Sequence, residues 1–181
     1  MQSILREQTA TKHTIAERKP FNIRMFQGKL SQQEYLLYLE QQQAIFSALE
    51  QHALPHPALN RMTGIGEDIA ELVEKGCTPS GELPATKAYT NYLASLTPEA
   101  QLPHVYLHYL ALVYGGQMMR SKVPSQGHLY HFNEMDACVS SIRQLQQDSW
   151  ANEVNKGFDF VIDLFDALEE QCVTLKTQSH V

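Results

Sequence analysis

The sequence has few cysteines, no long apolar run and little strand-like alternation. Its three cysteines, Cys77, Cys138 and Cys172, are far apart and form no Cys-x-x-Cys pair, which argues against a disulfide framework or a zinc ribbon. No segment approaches the about 18 apolar residues of a transmembrane helix, and residues 1–7 lack the apolar core of a signal peptide. We therefore expect free thiols, no membrane span and a cytoplasmic location.

Positive charge and common catalytic motifs are also scarce. The chain has 14 Lys and Arg against 20 Asp and Glu, a net charge of −6, so nucleic acid is not an expected partner. It contains no Gly-x-Ser-x-Gly elbow, phosphate-binding loop or Rossmann glycine fingerprint. A hydrophobic content of 43% and a length of 181 residues are those of an ordinary globular protein, and we expect one domain over residues 1–181.

Helical periodicity dominates what is present and predicts an all-α domain. Ser31 and Glu34 form a Ser-x-x-Glu capping box, which predicts a helix from there to just before Pro55. Thr97-Pro98 has the form of another helix start. The remaining predicted helices cover approximately residues 3–17, 21–27, 66–75, 84–96, 133–147 and 150–176.

The most apolar stretch, residues 105–114, runs directly into Gly115-Gly116. A helix that is apolar nearly all round is normally buried on every side. Each glycine inside such a helix costs about 1 kcal/mol relative to alanine. The pair indicates either the end of the helix or a place where the helix kinks or a flat group approaches the backbone closely.

The first helix carries a histidine on the face of its apolar stripe. Leu5, Thr9, His13 and Ala16 follow one another at spacings of four, four and three, and Glu17 lies one turn beyond His13. A carboxylate that accepts the proton of one ring nitrogen leaves the other nitrogen free to bind a metal. By itself this spacing favours a buried structural histidine over a metal ligand. His104 and His108 form a second pair one turn apart that could bind a metal, although the Glu-x-x-His pattern of di-iron bundles is missing.

Taken together, these segments resemble the haem oxygenase family. Residues 5–17, LREQTATKHTIAE, are similar to the family's proximal segment, and the resemblance implies that His13 is the axial haem ligand and Glu17 its partner. Residues 106–117, YLHYLALVYGGQ, are similar to the distal helix, in which Gly115 and Gly116 let the backbone lie against haem. The resemblance implies a haem oxygenase-like helical bundle that uses O2 and electrons from a reductase or ferredoxin to open haem to biliverdin, iron and carbon monoxide.

The distal segment departs from the family pattern. The family's distal aspartate is replaced by Leu112, and the tyrosine, arginine and asparagine that share its water network align with Phe46, His108 and Val161. Ordered distal water supplies a proton in this chemistry, so its loss favours an alternative function as a non-catalytic haem carrier or sensor. His108 or the Gly115-Gly116 backbone could hold that water instead, and we expect Leu112 and Phe46 to line the haem pocket.

The resemblance also implies how the edges of the haem are held. Haem propionates need cations, and the corresponding candidates are Arg6 and Arg143, with Tyr106 on the distal helix. The alternative is that both arginines are solvated surface charges and that Tyr106 belongs to the core. The final helix around Phe158 corresponds as well, and we expect Phe158 to contact haem. Thiaminase-like and cofactor-biosynthesis enzymes use the same architecture without haem, but they lack the His13 segment.

Overall fold

Helices account for nearly all regular structure in residues 4–178, the part of the chain that the computed structural model describes. No strand occurs within that range, and the all-α prediction is confirmed. The predicted helix starting at residue 3 begins outside the described residues. The α-helices are α1 Ile4–Glu17, α2 Pro20–Phe26, α3 Gln32–Leu49, α4 Met62–Glu74, α5 Pro84–Ala94, α6 Pro98–Met119, α7 Met135–Leu145 and α8 Ala151–Gln178, with short 3-10 turns at Pro57–Leu59, His128–Tyr130 and Asp148–Trp150.

Local capping explains where the two longest internal helices begin. The Ser31 hydroxyl accepts a hydrogen bond from the Glu34 backbone N–H at 3.2 Å, and the Glu34 carboxylate accepts one from the Ser31 backbone N–H at 2.8 Å. This reciprocal pair satisfies two otherwise unpaired donors at the start of α3. The Thr97 hydroxyl similarly accepts from the Ala100 N–H at 3.3 Å where α6 begins.

The core forms where α8 packs along α1, α2, α5 and α6, while α3 packs against α4 and α5. α3 contributes the largest number of buried apolar residues to this core, and most of them are almost fully buried. The predicted inward set of α3 is confirmed as buried: Tyr35, Leu36, Leu39, Phe46 and Leu49.

The most apolar helix, α6, is not buried on every side as its composition predicts. It continues through both glycines and ends at Met119, so Gly115-Gly116 is not a helix end. Tyr114 and Met118 are 54% and 58% exposed, and with Ala111 they form one stripe along the helix. This stripe stays open because it borders a cavity. No helix within residues 4–178 combines the length and the apolar composition that crossing a membrane requires.

Candidate functional site

One large cavity of about 1020 Å³ lies where α1, α6 and α8 diverge, with α2 and α3 closing its inner end. The sequence-predicted site residues come from five different helices, and the fold brings all of them to this cavity. They are Arg6, His13, Glu17, Phe46, Tyr106, His108, Leu112, Gly115, Gly116, Arg143 and Phe158.

The α1 wall of the cavity carries His13 and Glu17. His13 Nδ1 lies 3.5 Å from the Glu17 carboxylate oxygen Oε2, and both side chains are more than half exposed, 57% and 56%. The His13 ring meets the Phe158 ring edge-on, with 5.8 Å between the ring centroids.

His13 does not pack into the core together with Leu5 and Ala16, as the stripe had predicted. At 3.6 residues per turn, His13 points about 80° away from Leu5 around the helix axis. It therefore lies at the edge of the buried face and borders the cavity instead. A ring in this position can reach a ligand in the cavity, which a fully packed ring could not.

The cavity wall formed by α3, α6 and α8 is apolar at three positions that the sequence singled out. Leu112 on α6 and Phe46 on α3 are both buried, and Val161 on α8 is half-buried. Among the described residues that line the cavity, the carboxylates are Glu7 and Glu17, and both belong to α1. The described residues that α3, α6 and α8 bring to the cavity therefore include no carboxylate that could order a water molecule.

The two glycines of α6 differ in what surrounds them. A Cβ atom on Gly116 would lie 2.6 Å from Cδ1 of Tyr130, whereas one on Gly115 would meet only Cζ of Phe26 at 3.7 Å. The flat group that approaches α6 at Gly116 is therefore the ring of Tyr130, which itself lines the cavity. The protein atoms around Gly115 would accept a larger residue there. As a glycine, it keeps the cavity side of the helix free of a side chain.

His104 and His108 do not face each other as a metal-binding pair. Both rings hydrogen-bond the hydroxyl of Tyr89, through His104 Nδ1 at 2.8 Å and His108 Nε2 at 2.8 Å. The other nitrogen of His104, Nε2, lies 3.0 Å from Oε1 of Glu153. Within residues 4–178 no three His, Cys, Asp or Glu side chains converge as a metal site.

Burial keeps both of these histidines neutral. It lowers the pKa of His104, although the hydrogen bond to Glu153 opposes the shift. Burial, followed by the nearby His104, lowers the pKa of His108 to about 3. The His108 side chain that α6 brings to the cavity is therefore an uncharged imidazole near neutral pH.

A basic side chain packs against two aromatic rings at the rim of the cavity. The guanidinium carbon of Arg143 lies 5.7 Å from the ring centroid of Tyr106 and 5.8 Å from that of Tyr114. Its Nη2 also donates to the Tyr114 hydroxyl at 3.4 Å. Arg6 borders the same cavity from α1, so positive charge reaches the rim from two sides.

Several residues that line the cavity were not predicted from the sequence. Gln42 is buried and lines the cavity. It precedes Phe46 by one turn on α3, so the helical spacing could have indicated it. Tyr130 and Phe26 gave no such signal, because they reach the cavity from elements outside the predicted site helices.

Comparison with known proteins gives a family assignment. A family model described as heme oxygenase matches residues 1–166. The comparison with curated proteins found no match.

Several solved structures share the fold at low sequence identity. Heme oxygenase-1 of the cyanobacterium Synechocystis, solved in complex with heme, has a TM-score of 0.75 and 20% identity over 98% of this chain and 97% of its own. Heme oxygenase-2 of Synechocystis, solved with heme and NO, has a TM-score of 0.76 and 21% identity over 92% and 84%. The heme oxygenase of Leptospira interrogans has a TM-score of 0.74 and 21% identity over 90% and 96%. With the family model covering most of its length, the chain belongs to the haem oxygenase family.

Proposed function

We propose that this protein binds haem in the cavity between α1 and α6, with His13 as the axial ligand, and cleaves it to biliverdin, iron and carbon monoxide. O2 and electrons from a reductase or ferredoxin would be the co-reactants. One observation carries the proposal. The residues that the family resemblance selects from five helices all border one cavity.

The residues around the cavity fit a haem group. A volume of about 1020 Å³ lies at the upper end of the about 300–1000 Å³ that is usual for ligand pockets. Buried apolar side chains of Phe46, Leu112 and Phe158 offer a lining for a flat, mostly apolar macrocycle. Arg6 and Arg143 border the cavity and would hold the propionates.

The protein's own contribution on the His13 side is to orient the ligand. Haem supplies the iron that reacts with O2 and is itself the substrate. Glu17, whose carboxylate lies 3.5 Å from His13 Nδ1, would accept a hydrogen bond from Nδ1–H and so leave Nε2 bare for the metal. Gly115 leaves room for the macrocycle beside α6, and the packed Leu112 and Phe46 exclude bulk water from the opposite side.

A second function, haem binding without turnover, is favoured by the same apolar wall. Leu112, Phe46 and Val161 cannot order a water molecule, and His108 is uncharged near neutral pH. On this alternative the protein is a haem carrier or sensor built on the family fold.

A haem titration of the purified apoprotein, followed by addition of an electron donor in air, separates these functions. Loss of the Soret band together with growth of biliverdin absorbance supports the enzyme. A stable spectrum of reduced haem leaves only the carrier or sensor function. Absence of a saturable haem spectrum would refute both and would point to one of the haem-free activities found on this architecture.

A further inference from the structure

An unbroken line of hydrogen bonds leads from the cavity to the protein surface. It begins at His108, whose ring lines the cavity and whose Nδ1 has no hydrogen-bond partner among the described residues. It continues through the Tyr89 hydroxyl to His104, with 2.8 Å at each step, and on to Glu153 at 3.0 Å. The Glu153 side chain is 30% exposed, so the line ends at solvent.

We propose that Tyr89, His104 and Glu153 form a proton relay that serves His108, in place of the distal carboxylate that Leu112 has replaced. The proposal rests on the proposed haem oxygenase function, because that reaction consumes protons at the distal side. His108 would touch the reacting species, while the other three residues act through it.

The chemistry of Glu153 decides which way the hydrogen bonds point. Burial raises the pKa of Glu153, but hydrogen bonds from Tyr92 and His104 outweigh it and lower the pKa below its ordinary value. The ionised carboxylate can only accept, so Nε2 of the neutral His104 carries the proton and its Nδ1 is bare. Tyr89 then donates to His104 Nδ1 and accepts from Nε2 of His108. Nδ1 of His108 is therefore left as a bare acceptor.

Reversal of this orientation gives a loaded state with one more proton. Glu153 is then protonated, and Nδ1 of His108 also carries a proton. On release, that Nδ1 proton passes to an acceptor in the cavity and the Tyr89 hydroxyl proton moves to His108 Nε2. The His104 Nδ1 proton moves to the Tyr89 oxygen, and the Glu153 proton moves to His104 Nε2. In total, one proton leaves the relay for the cavity and Glu153 becomes ionised again. No electron is transferred.

The packing around the line preserves its geometry. A Cβ atom on Gly157, in the second turn of α8, would lie 3.1 Å from His104 Nδ1 and 2.7 Å from Cδ2 of Leu107. The glycine thus lets α8 approach closely enough for Glu153 to reach His104. On the solvent side, Tyr92 hydrogen-bonds Glu153, and Lys156 Nζ lies 3.9 Å from the centroid of the Tyr92 ring.

Two buried tyrosines whose hydroxyls hydrogen-bond other side chains provide a matched pair of variants. Tyr89 lies within the relay, whereas the Tyr109 hydroxyl donates to Glu50 at 3.1 Å, outside it. Tyr89→Phe should lower the rate of haem cleavage by about tenfold or more, since positioned proton donors contribute about 10²–10⁴-fold. It should also change the solvent isotope effect, while Tyr109→Phe should stay within about twofold of wild type. Equal rates and isotope effects for the two variants would overturn the relay.

A second measurement needs neither haem nor turnover. Nitrogen-15 NMR of the histidine-labelled apoprotein should find His104 and His108 neutral and protonated on Nε2. Glu153→Gln should shift the tautomer population of His108, and the shift should vanish when Tyr89→Phe is added. A His108 signal indifferent to Glu153→Gln would overturn the relay even if haem turnover is normal. Because the NMR signals are those of the apoprotein, they test the hydrogen-bond chain even if the protein has no haem oxygenase activity.

Discussion

His13 Nδ1 and the Glu17 carboxylate lie 3.5 Å apart on consecutive turns of α1, and both side chains border the open cavity rather than the core. The pair is therefore placed to orient a ligand, because neither group is needed to fill the protein interior. A carboxylate on Nδ1 selects the tautomer in which Nε2 is bare.

His13→Ala should abolish the axially ligated haem spectrum without unfolding the protein. The side chain is 57% exposed, so its removal should change the free energy of unfolding by no more than about 0.5 kcal/mol. Absorption spectroscopy after haem addition and urea unfolding of the apoprotein measure the two effects. A wild-type Soret spectrum from this variant would refute the assignment of His13 as ligand.

Glu17→Gln should weaken haem binding by about tenfold, the lower end of what loss of a residue orienting a metal ligand costs. Glu7→Gln is the matched control, because Glu7 lines the same cavity from α1 but does not contact His13. Haem titrations of both variants make the comparison. If the two weaken binding equally, Glu17 acts through general charge and not through His13.

Leu112→Asp should increase haem turnover by restoring a carboxylate that orders water on the distal side. Because Leu112 is buried, the variant should also lose about 1–3 kcal/mol of stability to an imperfectly solvated polar group. Biliverdin formation per bound haem is the measurement. Unchanged or lower turnover by a folded, haem-saturated variant would contradict the idea that Leu112 limits the reaction.

Gly116→Ala should destabilise the protein, because its Cβ would lie 2.6 Å from Tyr130. Overpacking of this kind costs about 1–3 kcal/mol. Gly66→Ala in α4 is the control for helix propensity, since nothing lies within 4 Å of its added Cβ, and it should stabilise by up to about 1 kcal/mol. Urea unfolding of both variants gives the difference. An equal increase in the free energy of unfolding of both variants would show that the Tyr130 ring moves aside without an energetic cost.

Acid should destabilise the protein through His108. Its pKa is lowered to about 3 in the folded state, from an ordinary value of 6.5, mainly by burial and then by His104. Below pH 6.5 the unfolded chain therefore binds a proton that the folded chain excludes, and stability falls as the pH drops from 6.5 toward 3. Between pH 7.5 and 5 this amounts to about 2 kcal/mol.

His108→Gln removes the titrating group, so its free energy of unfolding should depend less on pH over this interval. Urea unfolding at pH 7.5 and 5, for the variant and for wild type, measures the two slopes. Parallel slopes would mean that His108 takes up its proton in the folded state as readily as in the unfolded chain.

Much of the fold was predictable because helix boundaries depend on neighbours in sequence. The capping box of Ser31 and Glu34 and the Thr97-Pro98 pair mark the starts of α3 and α6, and the structure confirms both. The similarity of residues 5–17 to the haem oxygenase proximal segment also predicted the family, which the match over residues 1–166 confirms.

Other features could be identified only from the packing of the helices in the tertiary structure. The lack of space for a side chain at Gly116 is due to the ring of Tyr130, which lies in a turn that follows α6 in the sequence. The sequence spacing of His104 and His108 left a metal-binding pair open, whereas in the fold both rings share the hydroxyl of Tyr89, which lies on α5.

The sequence by itself determined most of the helices and the family, and through the family resemblance it selected many of the residues that line the cavity. The tertiary structure alone decided that His13 borders open space and that His108 is joined to the surface through Tyr89. Helix capping and hydrophobic periodicity depend on residues within one or two turns of each other. The two relationships depend instead on how separate helices pack against each other, which a local sequence pattern does not determine.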